Sequence, residues 1–113
     1  KHTGTGEFDA PDNQLAAIRA GAFGAYEDPQ LRSVPVNFLS TLDITGGNSG
    51  SPVLNARGEL VGLAFDGTLD AVLSDWDFNP ATTRTIAVDL RYVLWQLQVV
   101  EKADALLREM GVP

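Results

Sequence analysis

The segment Thr45-Gly46-Gly47-Asn48-Ser49-Gly50-Ser51-Pro52 constrains the fold more than any other part of this chain. Its glycines and closing proline rule out a helix interior and mark a tight turn. Runs of strand period flank it. Val36, Phe38 and Ser40 alternate with Asn37 and Leu39 before the turn, and Val53-Leu54 resumes a strand after it. Asn55-Ala56-Arg57-Gly58 reads as a hairpin turn, with the returning strand over residues 60–65. A long acidic loop follows at 66–83, and Thr85-Ile86-Ala87-Val88 forms another short strand.

Helical period appears only toward the two ends. Residues 1–10 are Gly/Thr-rich and read as a loop or short edge strand. Pro11-Asp12-Asn13 opens a helix whose Leu15, Ile18, Ala22 and Phe23 recur at helical spacing, with Gly21 or Gly24 as the stop. Asp89 is placed to cap a helix carrying Tyr92, Val93, Leu97 and Val100 on one face. A last helix spans about 103–110 and ends at Gly111.

A chain of 113 residues suits one domain. No apolar run approaches the roughly 18 residues of a membrane span, so no membrane partner is expected. The net charge of −7 argues against nucleic acid, whose phosphates need a basic face. With no cysteine, a disulfide framework and a Cys₄ zinc site are both excluded. The start, Lys1-His2-Thr3-Gly4, has no initiator Met and no apolar stretch, so the chain is expected to be cut from a longer one.

The glycine turn also carries chemistry. A serine hydroxyl is a weak nucleophile that needs a base and needs donors for the oxyanion formed on attack. Glycine before the serine lets backbone N–H groups converge, and Gly47 and Ser49 would supply them. Two other glycine-rich readings fail. The Gly-x-Ser-x-Gly elbow is broken by Ser51 in its last position, and a phosphate loop lacks its lysine. A plain Gly/Ser hairpin would explain Gly-Asn-Ser-Gly alone. The flanking strands, the hairpin at Gly58 and the following Phe65-Asp66-Gly67 instead match the second barrel of chymotrypsin-like peptidases. The expected fold is therefore mainly β with helices, part of a chymotrypsin-like, or trypsin-like, β-barrel closed by C-terminal helices.

Nearly the whole chain, in order, resembles the C-terminal part of the bacterial dipeptidyl-peptidase 7 and 11 family of serine exopeptidases. Four stretches carry the resemblance: Pro35-Val36-Asn37-Phe38, residues 45–55, residues 58–66 with Ser74-Asp75, and Arg84-Thr85-Ile86 through Asp89-Leu90-Arg91-Tyr92-Val93-Leu94. It implies a Ser-His-Asp enzyme of the periplasm or cell envelope that releases dipeptides from peptides with a free N-terminus. Residues 1–113 would then be the second-barrel fragment of its catalytic domain. Ser49 would be the nucleophile, and the His and Asp would come from the upstream part of the same polypeptide. No cofactor or metal is implied.

The resemblance also assigns the strand around Phe65 to the primary specificity pocket. Asp66 matches an Asp that would hold the substrate ammonium. Gly67 stands where the acid-selective branch of the family carries an arginine. Glycine there would leave space and favour an apolar second residue. His2, the one histidine, lies in a Gly/Thr-rich terminal segment and is not assigned as the base, so the isolated chain is expected to be inactive. Asp70, Asp75 and Asp77 read as a solvated acidic loop without EF-hand spacing. A torn half-barrel exposes edge strands, which invites homodimerisation or strand exchange. Two other readings stay open: a protease-like peptide-binding or structural module without catalysis, and a fragment of a general trypsin-like endopeptidase.

Overall fold

A computed structural model describes residues 2–112. The single domain expected from length divides into two compact units, one of residues 35–93 and one of residues 1–34 with 94–113.

The first unit is built on a four-stranded antiparallel sheet. Its strands are β1 (Asn37–Ser40), β2 (Pro52–Leu54), β3 (Leu60–Gly67) and β4 (Thr85–Asp89), in the order β1-β4-β3-β2. The period-2 pattern read from Phe38 and Ser40 is realised in β1, where both are half-buried while Asn37 and Leu39 are exposed. The hairpin between β2 and β3 is closed by the Gly58 N–H donating to the Asn55 carbonyl at 2.9 Å. Asn55 Oδ1 accepts from the N–H groups of Arg57 and Glu59 at 2.9 and 3.1 Å, and Gly58 takes the left-handed φ of +78° that such a turn requires. Hydrogen bonds from Arg57 and then Asn55 hold the exposed Glu59 carboxyl below the usual carboxylate range.

The four strands form an open sheet and not a closed barrel. Closure needs the two outer strands to pair. Among the described residues β1 pairs only with β4 and β2 only with β3, so each strand leaves one edge free. The predicted acidic loop also differs. β3 runs on to Gly67, and residues Leu69–Leu73 wind into a 3₁₀ turn.

The core of this unit is small: Val53, Ala64 and Ala87, with Phe38 and Val61 packed against them. Small side chains are needed because the strands carry a ring across them. A Cβ built on Gly62 would lie 2.5 Å from the Val88 carbonyl oxygen and 2.7 Å from Phe38 Cε1. Thr85, only 1% exposed, donates its hydroxyl to the Leu42 carbonyl at 2.7 Å. That bond ties the segment leading into the glycine turn to the middle of the sheet.

The second unit is helical. Helix α1 (Asp12–Arg19) ends as expected, with Gly21 at a φ of +62°. The expected helix after Asp89 is α2 (Leu90–Trp95), which begins in the first unit and runs into this one at Leu94. Asp89 Oδ1 accepts the Arg91 N–H at 2.9 Å, the predicted cap, and its carboxylate also pairs with the Arg91 guanidinium. Residues Gln96–Val100 then widen into a π-helical turn, so the single face expected through Val100 does not continue as a regular α-helix. Helix α3 (Asp104–Glu109) follows. The centre of this unit is Trp95, 1% exposed, whose indole N–H donates to the Ala22 carbonyl at 2.8 Å. The rings of Phe23 and Trp95 lie 6.5 Å apart at 53°. Of the predicted N-terminal loop, Lys1 lies outside the described residues; the rest contains a 3₁₀ turn at Gly6–Phe8 and no strand.

Gly62→Ala in the full-length protein is expected to lower stability by roughly 1–3 kcal/mol through overpacking, read as a lower Tm. An unchanged Tm would show that Phe38 and β4 yield freely at this point.

Candidate active site

The glycine turn is shaped by a reciprocal pair of hydrogen bonds. The Thr45 N–H donates to Asn48 Oδ1 at 2.8 Å, and the Asn48 N–H donates to the Thr45 carbonyl at 3.2 Å. Gly47 and Gly50 sit at φ +98° and +85°, backbone that an L side chain strains to adopt. The turn is then fastened to β3. The Gly50 N–H donates to the Ala64 carbonyl at 2.7 Å, and the Ala64 N–H donates to the Ser51 carbonyl at 2.9 Å.

Ser49 stands at the tip of this turn, and its hydroxyl donates to the Phe65 carbonyl at 3.4 Å. The N–H groups of Gly47 and Ser49, the expected oxyanion donors, enter none of the hydrogen bonds among the described residues. They remain available to an oxygen brought in by a substrate. The Phe65 carbonyl is presented by a β-bulge. Ala64 opposes Ala87 while Asp66 opposes Ile86, so Phe65 is the extra residue and the strand bends there. Two consecutive residues, Phe65 and Asp66, are consequently exposed.

The bulge and the turn border one cleft of about 350 Å³. Ile44, Thr45, Gly46, Gly47 and Ser49 line one side; Phe65, Asp66, Gly67 and Thr68 line another, with Ala71, Val72 and Asp75 beyond. All five residues predicted for the site, Gly47, Ser49, Phe65, Asp66 and Gly67, thus meet in one place. Asp66 Oδ1 accepts its neighbour's Gly67 N–H at 2.8 Å, and no Lys or Arg pairs with it among the described residues. A carboxylate in a cleft without a cation is a ready receptor for an ammonium group.

Gly67 does not leave space, contrary to the expectation. A Cβ built on it would come within 2.7 Å of the Ala71 Cβ. The 3₁₀ turn Leu69–Leu73 has filled that room. Ala71, Val72 and Asp75 were missed as site residues because the segment read as a solvated loop. The available signal was small Ala71 amid the bulky Leu69, Val72 and Leu73, four residues after Gly67.

Ser49 has no imidazole beside it within its own unit, because residues 35–93 contain no histidine. His2 belongs to the other unit, where its Nδ1 accepts the Ala10 N–H at 3.3 Å and lies 3.9 Å from Asp9. Among the described residues no three His, Cys, Asp or Glu side chains gather as a metal site.

The sequence profile of peptidase S46 matches residues 1–112. The chain belongs to the peptidase S46 family. The S46 chain is 47% identical to the Asp/Glu-specific dipeptidyl-peptidase of Shewanella putrefaciens, covering 99% of this chain and 18% of that protein. It is 45% identical to dipeptidyl-peptidase 7 of Capnocytophaga gingivalis, covering 96% of this chain and 15% of that protein. The crystal structure of Porphyromonas endodontalis DPP11 in complex with the dipeptide Arg-Asp superposes with a TM-score of 0.90 at 37% identity, over 96% of this chain and 16% of that one. The S46 chain therefore spans less than a fifth of the length of these relatives.

Asn48→Ala in the full-length protein is expected to slow labelling of Ser49 by a fluorophosphonate about two- to tenfold, since one hydrogen bond is worth roughly 0.5–1.5 kcal/mol. Labelling at an unchanged rate would show that the glycines alone hold the donors in place.

Proposed function

We propose that this chain is the nucleophile-bearing part of a serine dipeptidyl-peptidase that removes dipeptides from free peptide N-termini in the periplasm or cell envelope. One observation carries the reading: the Ser49 turn and the unpaired Asp66 carboxylate line the same cleft. An exopeptidase that counts two residues must fix the terminal ammonium at a set distance from its nucleophile. Asp66 supplies the fixed anion and Ser49 the attack.

In the reaction, Ser49 Oγ adds to the carbonyl of the second residue. The N–H groups of Gly47 and Ser49 stabilise the oxyanion; its collapse breaks the peptide bond, the proton taken from Ser49 passing to the departing amine, and water then opens the acyl-enzyme to release the dipeptide. The hydroxyl proton goes to a base from another part of the polypeptide, so the isolated chain is inactive on this reading. The binding-module alternative predicts a full-length protein that binds peptides without turnover.

For the second residue, one relative's name specifies Asp or Glu and the other's specifies none. The lining of the cleft supports an uncharged side chain. Ile44, Phe65, Ala71 and Val72 are apolar, the charges are those of Asp66 and Asp75, and no Lys or Arg lines it among the described residues. An acidic side chain would meet like charge there.

Ser49→Ala in the full-length enzyme is expected to abolish turnover while leaving dipeptide binding nearly intact. Detectable turnover by that variant would remove Ser49 from the nucleophile's place.

Asp66→Asn is expected to raise KM steeply for substrates with a free N-terminus, since leaving one partner of a desolvated charge pair alone costs roughly 2–5 kcal/mol. N-acetylated analogues should be poor substrates before and after the change. Equal kcat/KM on free and acetylated substrates would leave the endopeptidase reading in its place.

A further inference from the structure

We infer that Ala71 is a further specificity-determining residue, because its methyl group occupies the space that any side chain at position 67 would need. The inference rests on the reading that this cleft receives the substrate's second residue. Gly67 does not have a left-handed φ, so its backbone admits any L-residue. The obstacle is steric: an added Cβ would sit 2.7 Å from Ala71 Cβ, closer than real Cβ contacts come, and 3.7 Å from the Arg84 carbonyl oxygen. One of the two positions must be glycine for the other to carry a side chain without displacement.

Ala71 is not free to withdraw. Its N–H donates to the Thr68 carbonyl at 2.8 Å, and its carbonyl accepts the Ser74 N–H at 3.1 Å and the Ser74 hydroxyl at 2.7 Å. Ser74 is buried, at 6% exposure. Thr68 in turn is joined to the base of β4, its N–H donating to the Arg84 carbonyl at 2.9 Å and its Oγ1 accepting the Arg84 N–H at 3.1 Å. A side chain forced in at position 67 therefore pushes a turn anchored at both ends. That turn carries Ala71 and Val72 into the cleft, with Asp75 just beyond it. Positions 67 and 71 act as one unit: Gly67 with Ala71 closes this wall with a methyl group, whereas a functional side chain at 67 requires glycine at 71.

The test is a double-mutant cycle in the full-length enzyme with wild type, Gly67→Arg, Ala71→Gly and the double variant. kcat/KM is measured on fluorogenic dipeptides with Leu or Glu as the second residue. Gly67→Arg alone is expected to lose roughly tenfold or more on both substrates, the size of a contact coupling of about 1.4 kcal/mol. Ala71→Gly alone is expected to lower kcat/KM on Leu by less than Gly67→Arg does, and the double variant should exceed Gly67→Arg alone with its Glu-to-Leu ratio raised by about tenfold or more. A cycle that closes multiplicatively, or Gly67→Arg alone shifting the ratio as far as the double variant, overturns the inference. Should the arginine variants not fold, Gly67→Ala and Gly67→Ala/Ala71→Gly report the same contact through Tm. Relief of the Gly67→Ala loss by the second change supports the coupling, and its absence refutes it. This Tm cycle does not depend on activity, whereas the free-versus-acetylated comparison in wild type tests the exopeptidase reading by itself.

Discussion

Both backbone groups of Ala64 are committed to the turn that carries Ser49, its carbonyl to the Gly50 N–H and its N–H to the Ser51 carbonyl. Its side chain, 3% exposed, is in the core cluster with Val53 and Ala87. One residue thus joins the site to the hydrophobic core. The turn has little apolar surface of its own, and a Gly-rich loop would otherwise sample many conformations. Fastening it to a strand that is itself buried holds the free N–H groups of Gly47 and Ser49 in a fixed arrangement. Thr85 and Leu42 repeat the device on the other side of the turn.

The bulge one residue further along converts a regular strand into a functional wall. Without it, alternation would turn either Phe65 or Asp66 toward the core. With Phe65 inserted as the extra residue, both are exposed along the cleft, and the Phe65 carbonyl is offered to Ser49. Asp66 is then steadied by its neighbour's N–H and not by a cation, so its charge remains available to a ligand.

Much of this was legible in the sequence, and the residues that were not share a reason. The hairpin at 55–58, the strands and the Asp89 cap follow from local chemistry: an Asx acceptor, a left-handed glycine, a period of two, a carboxylate before a helix. Ser49 and Gly47 could be named from the chemistry of the glycine turn, whereas Asp66 and Gly67 were assigned by the family resemblance; all four line one cleft. The π-helical turn at 96–100 and the Phe65 bulge could not be read the same way. A one-residue insertion in pairing leaves no trace in composition. The Ala71 contact was hidden because residues 66–83 are rich in acidic and exposed residues, and such composition resembles a solvated loop even when its backbone is tied at both ends.

Strand β3 draws these threads together through its small residues. Gly62 is small because the Phe38 ring and the Val88 carbonyl lie against it, Ala64 because it packs in the core cluster, and Gly67 because Ala71 does. The same strand therefore meets three different neighbours at close range along its length. Enlargement at its Gly62 end presses on the sheet itself, where no turn can move aside, and is paid in stability. Enlargement at its Gly67 end presses on a 3₁₀ turn anchored at both ends whose residues line the cleft, so there the fold and the shape of the cleft change together. The small residues of one strand thus fit the sheet at one end and the wall of the cleft at the other, with Ala64 and the Ser49 turn it holds standing between them.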